Sequence, residues 1–416
     1  MNYKILLTSA VILYSSASFS QNNNKAFAIT GDGNKDFVWM NIRQVDLGTG
    51  QVSKTIFQRD KSNFVLTDVN AKTSVSKVPG TDNYAQAKSH PTGSFVAAAA
   101  LDRRGNKLYF TPMRVGELRW LDLDVKNETP KFYSLSSPAL NFGVQADEAN
   151  HITRMVIGAD DNGYALTNDG NHFIKFTTGK KPVITDLGNL IDAESNNGIS
   201  VHNKCTSWGG DMLADAMGKL YIISANRHVF QVDINSRVAT HKGVITGLPN
   251  NYTTNAAAVD AEGDIVVSSA NVFEGYYKVK LSDLTASSIA GSDRLYNASD
   301  LANGNLLLQK EADAARKYSA APLLGTAADF GEKRVYPNPV TASTFAVLFD
   351  AEKPGSYSIT LSDLSGRVIQ TQKASINKAF QTEQVTLAGN PAKGMYFVKV
   401  YDASKQIVFT EKVLIQ

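Results

Sequence analysis

Side chains that could do chemistry are few and scattered in this chain of 416 residues. The six histidines stand at positions 90, 151, 172, 202, 228 and 241, and Cys205 is the one cysteine. No Gly-x-Ser-x-Gly elbow, His-Glu-x-x-His pair or Walker loop is present. His202 and Cys205 are three apart, half of a metal site with no visible second half. Cys205 is therefore expected to be a small buried apolar side chain. Asp32-Gly33-Asn34-Lys35-Asp36 puts oxygens at alternate positions, as calcium loops do. Phe37, however, stands where the loop glycine belongs, and no closing glutamate follows. Asp160-Asp161-Asn162 and Asn168-Asp169-Gly170-Asn171 are similar. Hairpin turns account for all three, so no cofactor is expected, and calcium is the only ion the pattern leaves open.

The elements that would position a site come from a recurring unit. An Asp and a Gly three apart, then an apolar run, occur at Asp102–Gly105, Asp160–Gly163, Asp215–Gly218 and Asp260–Gly263. A looser fifth copy runs from Asp300 to Gly304, with Leu306 to Leu308 as its returning strand. The aspartate bonds the backbone ahead of it, and the glycine supplies the positive φ that closes a hairpin. A further strand ending near an acid follows, as in Trp120-Leu121-Asp122 and Phe230-Gln231-Val232-Asp233. Val45 to Val52 is the same element near the start. The aspartates are 58, 55, 45 and 40 residues apart. That period, with about four strands in each unit, predicts propeller blades. With the material before Asp102 the expectation is six or seven blades over residues 21–309. A β-sandwich with coincident turns is the competing reading. Phe95 to Ala100 and Asn255 to Val259 are rich in small side chains, as the crowded innermost strands of a propeller must be.

A propeller presents ligands to the mouth of its central channel, lined by the residues that lead into the innermost strands. Here those are Arg154, Trp208, Asp211, Asn255 and Tyr296. In Ser207-Trp208-Gly209-Gly210-Asp211 a flat apolar ring beside open backbone suits a sugar or a peptide. The same residues also suit close packing between blades. Two other readings stay open. One is a calcium-dependent lactonase-like enzyme, which fold analogy alone suggests, with Glu194, Asn196 and Asp211 as the nearest ligand set. The other is a purely structural or adhesive surface protein. No catalytic residue is assigned.

The two ends read as addresses. Residues 1–20 carry Lys4, an apolar run from Ile5 to Leu13 and small residues around Ser18-Phe19-Ser20, the layout of a secretory signal peptide. The run is too short for a transmembrane anchor. Residues 310–333 are Ala-rich without strand alternation and read as a linker. The final block, 334–416, opens with Tyr336-Pro337-Asn338-Pro339. It continues with a hairpin around Asp363 and Gly366-Arg367-Val368 and a strand from Lys393-Gly394 to Val400, and ends on a strand containing Lys412. In order and spacing this block resembles the type A C-terminal sorting domain of the type IX secretion system. The resemblance implies a small immunoglobulin-like β-sandwich read by outer-membrane machinery, with Pro337, Asn338, Pro339, Gly366, Gly394 and Lys412 as motif residues. It also implies export through the periplasm to the cell surface or medium.

Composition agrees with an all-β exported chain. Apolar residues make up 43% and charged residues 19%, and one cysteine excludes an intrachain disulfide framework. The whole chain carries 42 basic and 39 acidic residues. Setting aside the ten basic and six acidic residues of the two terminal blocks leaves 32 against 33. Such a balance has no pull toward nucleic acid or anionic membrane.

Overall fold

The computed structural model describes residues 24–33, 36–78, 84–124, 129–144, 146–289, 296–319, 334–349, 354–364, 366–378, 381–389 and 391–416. The expected signal peptide, Asn34, Lys35 and the 320–333 part of the expected linker lie outside them. Two compact units divide the chain, Met1–Ala314 and Ala315–Gln416.

The recurrent hairpins form as their residues dictate. Asp102 Oδ1 accepts from the N–H groups of Arg104 and Gly105 at 3.0 and 2.9 Å. Asp215 does the same for Met217 and Lys219, and Asp260 for Glu262, Gly263 and Asp264. The carboxylates thus fill the amides that a tight turn leaves unpaired. Glycine plays two parts. Gly218 and Gly263 take φ of 87° and 97°, whereas in the other two hairpins Asn106 and Asp161 hold the positive φ. There the glycine makes room instead: a Cβ on Gly163 would lie 2.0 Å from the Phe176 ring.

Each hairpin joins the first two strands of a four-stranded run. Val96–Asp102 leads Lys107–Pro112, Glu117–Asp122 and Lys131–Ser136. Ile152–Ile157 leads Asn162–Thr167, Phe173–Thr177 and Ile184–Asp186. Asp211–Ala214 leads Lys219–Ile223, His228–Asp233 and Val238–Val244. Ala256–Val259 leads Ile265–Ser268, Tyr277–Val279 and Ala286–Ser288. The remaining sheet draws on both ends of the unit: Ala298–Ala302 pairs with Lys25–Thr30, followed by Asn41–Asp46 and Val52–Phe57. The five leading strands neighbour one another in a closed cycle. The result is a β-propeller-like ring whose last sheet unites the N-terminal strands with the end of the ring sequence.

Five sheets are described in this ring, where the spacing predicts six or seven. The extra length goes into additions to existing sheets. Val65–Asp68 lies parallel to Lys131–Ser136 and carries Thr73–Ser74 outside it. Ile191–Asp192 lies parallel to Val238–Val244 in the same way. The segment before Val96 therefore supplies three ring strands and an outer ribbon instead of further blades. The fifth repeat is also corrected. Leu306 to Leu308 form no returning strand; Leu307 bridges Asp215, and Lys25–Thr30 takes the place next to Ala298–Ala302.

Packing follows the expected taper. Ala98, Ala99, Ala100, Ala256, Ala257 and Ala258 are buried on the leading strands. Bulk lies further out, where neighbouring sheets diverge. Tyr109 packs against Trp120 of its own sheet and Phe176 of the next, with ring centroids 5.7 and 5.4 Å away, a geometry that adds to plain area burial. The helix Gln309–Ser319 opens the region read as linker.

The C-terminal unit has a three-stranded sheet, Val335–Tyr336, Thr344–Phe349 and Gln381–Thr386. Its four-stranded sheet orders Val368–Ile376, Gly355–Asp363, Gly394–Tyr401 and Ile407–Ile415. One apolar core serves both, including Val347, Phe349, Leu361, Val398 and Val413. Asn338 ties the opening motif to the final strand: its Nδ2 donates to Lys412 O at 2.8 Å and its Oδ1 accepts from Leu414 N–H at 3.0 Å. Gly366 closes the predicted hairpin at φ 86°, with Asp363 accepting from the Arg367 N–H at 3.0 Å.

The space argument at Gly163 is testable. Gly163→Ala is expected to cost about 1–3 kcal/mol by overpacking, and less in a Phe176→Leu background because the two sites couple. Denaturant midpoints of the four proteins check this, and equal costs in both backgrounds would contradict it.

Candidate functional site

Four of the five residues expected at the channel mouth gather where three sheets meet. Arg154 lies on a leading strand and is wholly buried. Its Nε donates to Gly209 O at 3.0 Å, and its terminal nitrogens donate to Thr167 O, Asn168 O and Ser207 O. Burial pushes the guanidinium pKa down to about 10, which leaves it charged at neutral pH. Arg154 is therefore a clamp on backbone carbonyls and has no face for a ligand. Gly209 and Gly210 take φ of 67° and 92°, and a Cβ on Gly210 would lie 1.9 Å from Ile223 O. These glycines let the entry to Asp211–Ala214 close on the neighbouring strand. Trp208 is half-buried on the rim. Its indole N–H donates to His202 O at 3.0 Å, and the Lys204 ammonium sits 4.9 Å from the ring centroid. Asn255 is also half-buried and accepts from the Ala270 N–H and the Thr253 hydroxyl. Tyr296 stands apart from this group. The Arg43 guanidinium lies 4.2 Å over its ring, on the sheet that closes the circle.

Asp211 is wholly buried and turns toward the axis. Each leading strand is the edge of its sheet, so amides on its inner side have no ladder partner. Asp211 Oδ2 accepts from Ala257 N–H at 2.7 Å and Leu301 N–H at 3.3 Å, and Oδ1 from Met212 N–H at 2.7 Å. Asp300, on Ala298–Ala302, accepts from Ala99 N–H at 2.9 Å. Two further edges, Ala256–Val259 and Val96–Asp102, are thereby tied to the two strands that carry the carboxyls. The two carboxyls also lie close enough for each to act on the other's protonation. Asp300 Oδ1 has no hydrogen-bond partner among the described residues. Burial raises both pKa values, Asp211 to about 8 and Asp300 well above the usual carboxylate range, the latter further lifted by the Asp211 charge. The pair therefore holds at least one proton at neutral pH. Sequence reading took Asp300 for a turn residue and missed this role. The signal for it was the looseness of the fifth repeat, which lacks a strand of its own after the turn.

The remaining candidates separate. Glu194 is exposed, and Asn196 bonds Ala239 O and His241 N–H at the outer edge of its sheet. They share no coordination shell with Asp211 in the interior, so the calcium set is not assembled. Asp32 and Asp36 pair with Arg59 at 3.1 and 3.3 Å, and Asp32 also accepts from Asn41. Asp160 and Asp169 close their own turns through Asn162 and Asn171. Among the described residues no group of three or more His, Cys, Asp or Glu side chains is placed to hold a metal ion. His202 points both ring nitrogens at the carbonyls of Asp169 and Leu190. Cys205 is exposed, contrary to the buried position expected. It sits in the short helix Lys204–Ser207 on the rim, whose outer side faces solvent.

Residues 334–416 match the family described as the secretion system C-terminal sorting domain. This segment is a type IX secretion sorting domain. It marks the chain for export to the cell surface or extracellular space. No helix among the described residues is long and apolar enough to cross a membrane. No curated protein matches the chain. Among solved structures, the chain is similar to PorZ, a bacterial surface component of the type IX secretion system of Porphyromonas gingivalis. That likeness has 14% identity and a TM-score of 0.31, over 94% of this chain and 51% of PorZ, so the chain spans about half of PorZ's length. Virginiamycin B lyase from Staphylococcus aureus shares 13% identity at a TM-score of 0.31, over 62% of this chain and 68% of the lyase. The periplasmic gluconolactonase PpgL of Pseudomonas aeruginosa shares 9% at 0.32, over 94% and 96%. All three likenesses are distant.

The acid pair fixes the sign of a pH effect. Its folded pKa values lie above those of the unfolded chain, so its contribution is complete below about pH 4 and is lost as pH rises toward 8. Stability is expected to fall by about 1.4 kcal/mol per pH unit per proton in that window. Asp300→Asn keeps the acceptor for Ala99 and supplies a permanent N–H donor, and is expected to flatten the dependence. Denaturant titrations at pH 5, 6.5 and 8 check this, and an unaltered slope in the variant would contradict it.

Proposed function

We propose that this protein is an exported five-bladed propeller that binds a glycan or peptide on the rim of its channel mouth. Its immunoglobulin-like tail directs it through the type IX machinery. The observation that carries the reading is the contrast between floor and rim. Beneath the mouth, Arg154, Asp211 and Asp300 are wholly buried and bond backbone groups of neighbouring strands. On the rim, Trp208 keeps part of its ring open beside two glycines and near Asn255. An aromatic face with adjacent amide donors suits a sugar ring or an extended chain. Trp208 and Asn255 are the contacts in this reading. Arg154 and Asp211 hold the floor, and Tyr296 marks the opposite side of the mouth. Two clefts lie elsewhere, one beside Lys25, Arg103 and Asn305 and one beside Met113, Phe142 and His151. The second of them includes the half-buried Phe142 ring, which stacks on His172.

The test is glycan and peptide array binding by the secreted chain. Ligands bound by the wild type are expected to lose about tenfold or more with Trp208→Ala, since a buried aromatic anchor contributes about 2 kcal/mol or more. Asn255→Ala should weaken the same ligands. An unchanged binding profile in both variants, with circular dichroism confirming the fold, would remove the rim from consideration.

A further inference from the structure

His228 begins the strand His228–Asp233, and His241 lies on its neighbour Val238–Val244. Their rings turn toward each other at a centroid separation of 5.2 Å. His228 Nδ1 and His241 Nε2 are 3.1 Å apart. The other histidines with placed ring contacts behave differently. His90 and His202 aim ring nitrogens at backbone carbonyls, and His172 aims at Asp186. Only this pair, among those, sets nitrogen against nitrogen.

The separation is informative. Two imidazole nitrogens bound to zinc at about 2.0–2.1 Å lie about 3.3 Å apart at a tetrahedral angle and about 2.9 Å apart at a right angle. The observed 3.1 Å falls between these values. The pair is also held in place. Asn196 Oδ1 accepts the His241 backbone N–H at 2.8 Å, and the His241 ring packs on Phe230 at 5.1 Å. Both side chains are half-buried, so water can complete a coordination shell from the open side.

We infer that His228 and His241 form a two-imidazole site for a divalent transition-metal ion, on the outer part of the sheet led by Asp211–Ala214. Without metal, one nitrogen must carry the proton of the N–H···N contact. Loading moves the His228 proton from Nδ1 to Nε2, which frees both lone pairs without net proton release. Imidazole suits zinc, nickel and copper and disfavours calcium and magnesium. The site uses none of the rim contacts proposed above, and its fate is independent of whether a glycan or peptide binds there.

Calorimetric titration of the untagged full chain with zinc alone tests the assignment. A Cys205→Ser background removes the exposed thiol as a competing ligand. One zinc per chain is expected, with affinity reduced by roughly 10²-fold in His228→Ala and in His241→Ala, because either change removes the chelating pair. His228→Gln serves as a second variant should His241→Ala fail to fold. No zinc uptake by the intact chain, or uptake unaltered in the variants, would overturn the site and leave a plain N–H···N hydrogen bond in its place.

Discussion

A ring of sheets has an edge problem at its centre. Each sheet presents its leading strand to the axis, and such a strand has paired on one side only. The amides and carbonyls on the other side are buried, where leaving one unpaired costs about 1–3 kcal/mol. In this protein the leading strands carry a run of buried alanines, which leaves little room for bulk beside them. Two aspartates resolve the conflict. Asp211 and Asp300 reach across from opposite sides of the circle and accept from Ala99, Ala257 and Leu301. Ser299 adds a donor for Val96 O at 2.6 Å. Two anions this close would repel strongly, so the arrangement requires a proton on the pair. The ring is thus closed by a pair of buried acids that is not doubly ionised at neutral pH.

The same logic extends to neighbouring loops, which are held by two buried arginines and one half-buried one. Arg154 gathers carbonyls from Thr167 to Gly209. Arg119 binds the Pro91 and Lys88 carbonyls while pairing with Glu117. Arg227 holds the 249–252 turn through Tyr252 O and Asn250 O. Guanidinium groups suit this task because their planar fork donates to several carbonyls at once. An exported chain with one cysteine has no disulfide to restrain such loops, and these clamps do that work inside the fold. The consequence for function is that the polar residues nearest the axis are committed to structure. The proposed recognition therefore falls to the half-buried rim.

Much of this organisation was legible in the sequence. The Asp-to-Gly spacing found four hairpins, because an aspartate that accepts from the next amides leaves a local signature. The Tyr-Pro-Asn-Pro opening and the Gly366 hairpin marked the tail. Three things were not legible. Blade count failed because chain length alone does not distinguish an added outer strand, such as Val65–Asp68, from the start of a new sheet. Closure was hidden because Ala298–Ala302 pairs with residues some 270 positions earlier, and no local pattern records such a contact. The roles of Arg154 and Asp211 were misread for a related reason. Position at the head of a leading strand places a side chain near the mouth, but whether it points to solvent or to neighbouring carbonyls depends on loops such as 207–210.

The account rests on a protonated carboxyl at the centre of the ring at neutral pH. Infrared difference spectroscopy of the wild type against Asp300→Asn at pH 7 observes that group directly. The predicted result is a carboxylic acid C=O band in the wild type that is weakened or shifted in the variant, where burial still holds the Asp211 pKa up. A wild-type spectrum with ionised carboxylate bands alone would contradict the protonated pair, and with it the explanation of how the ring closes.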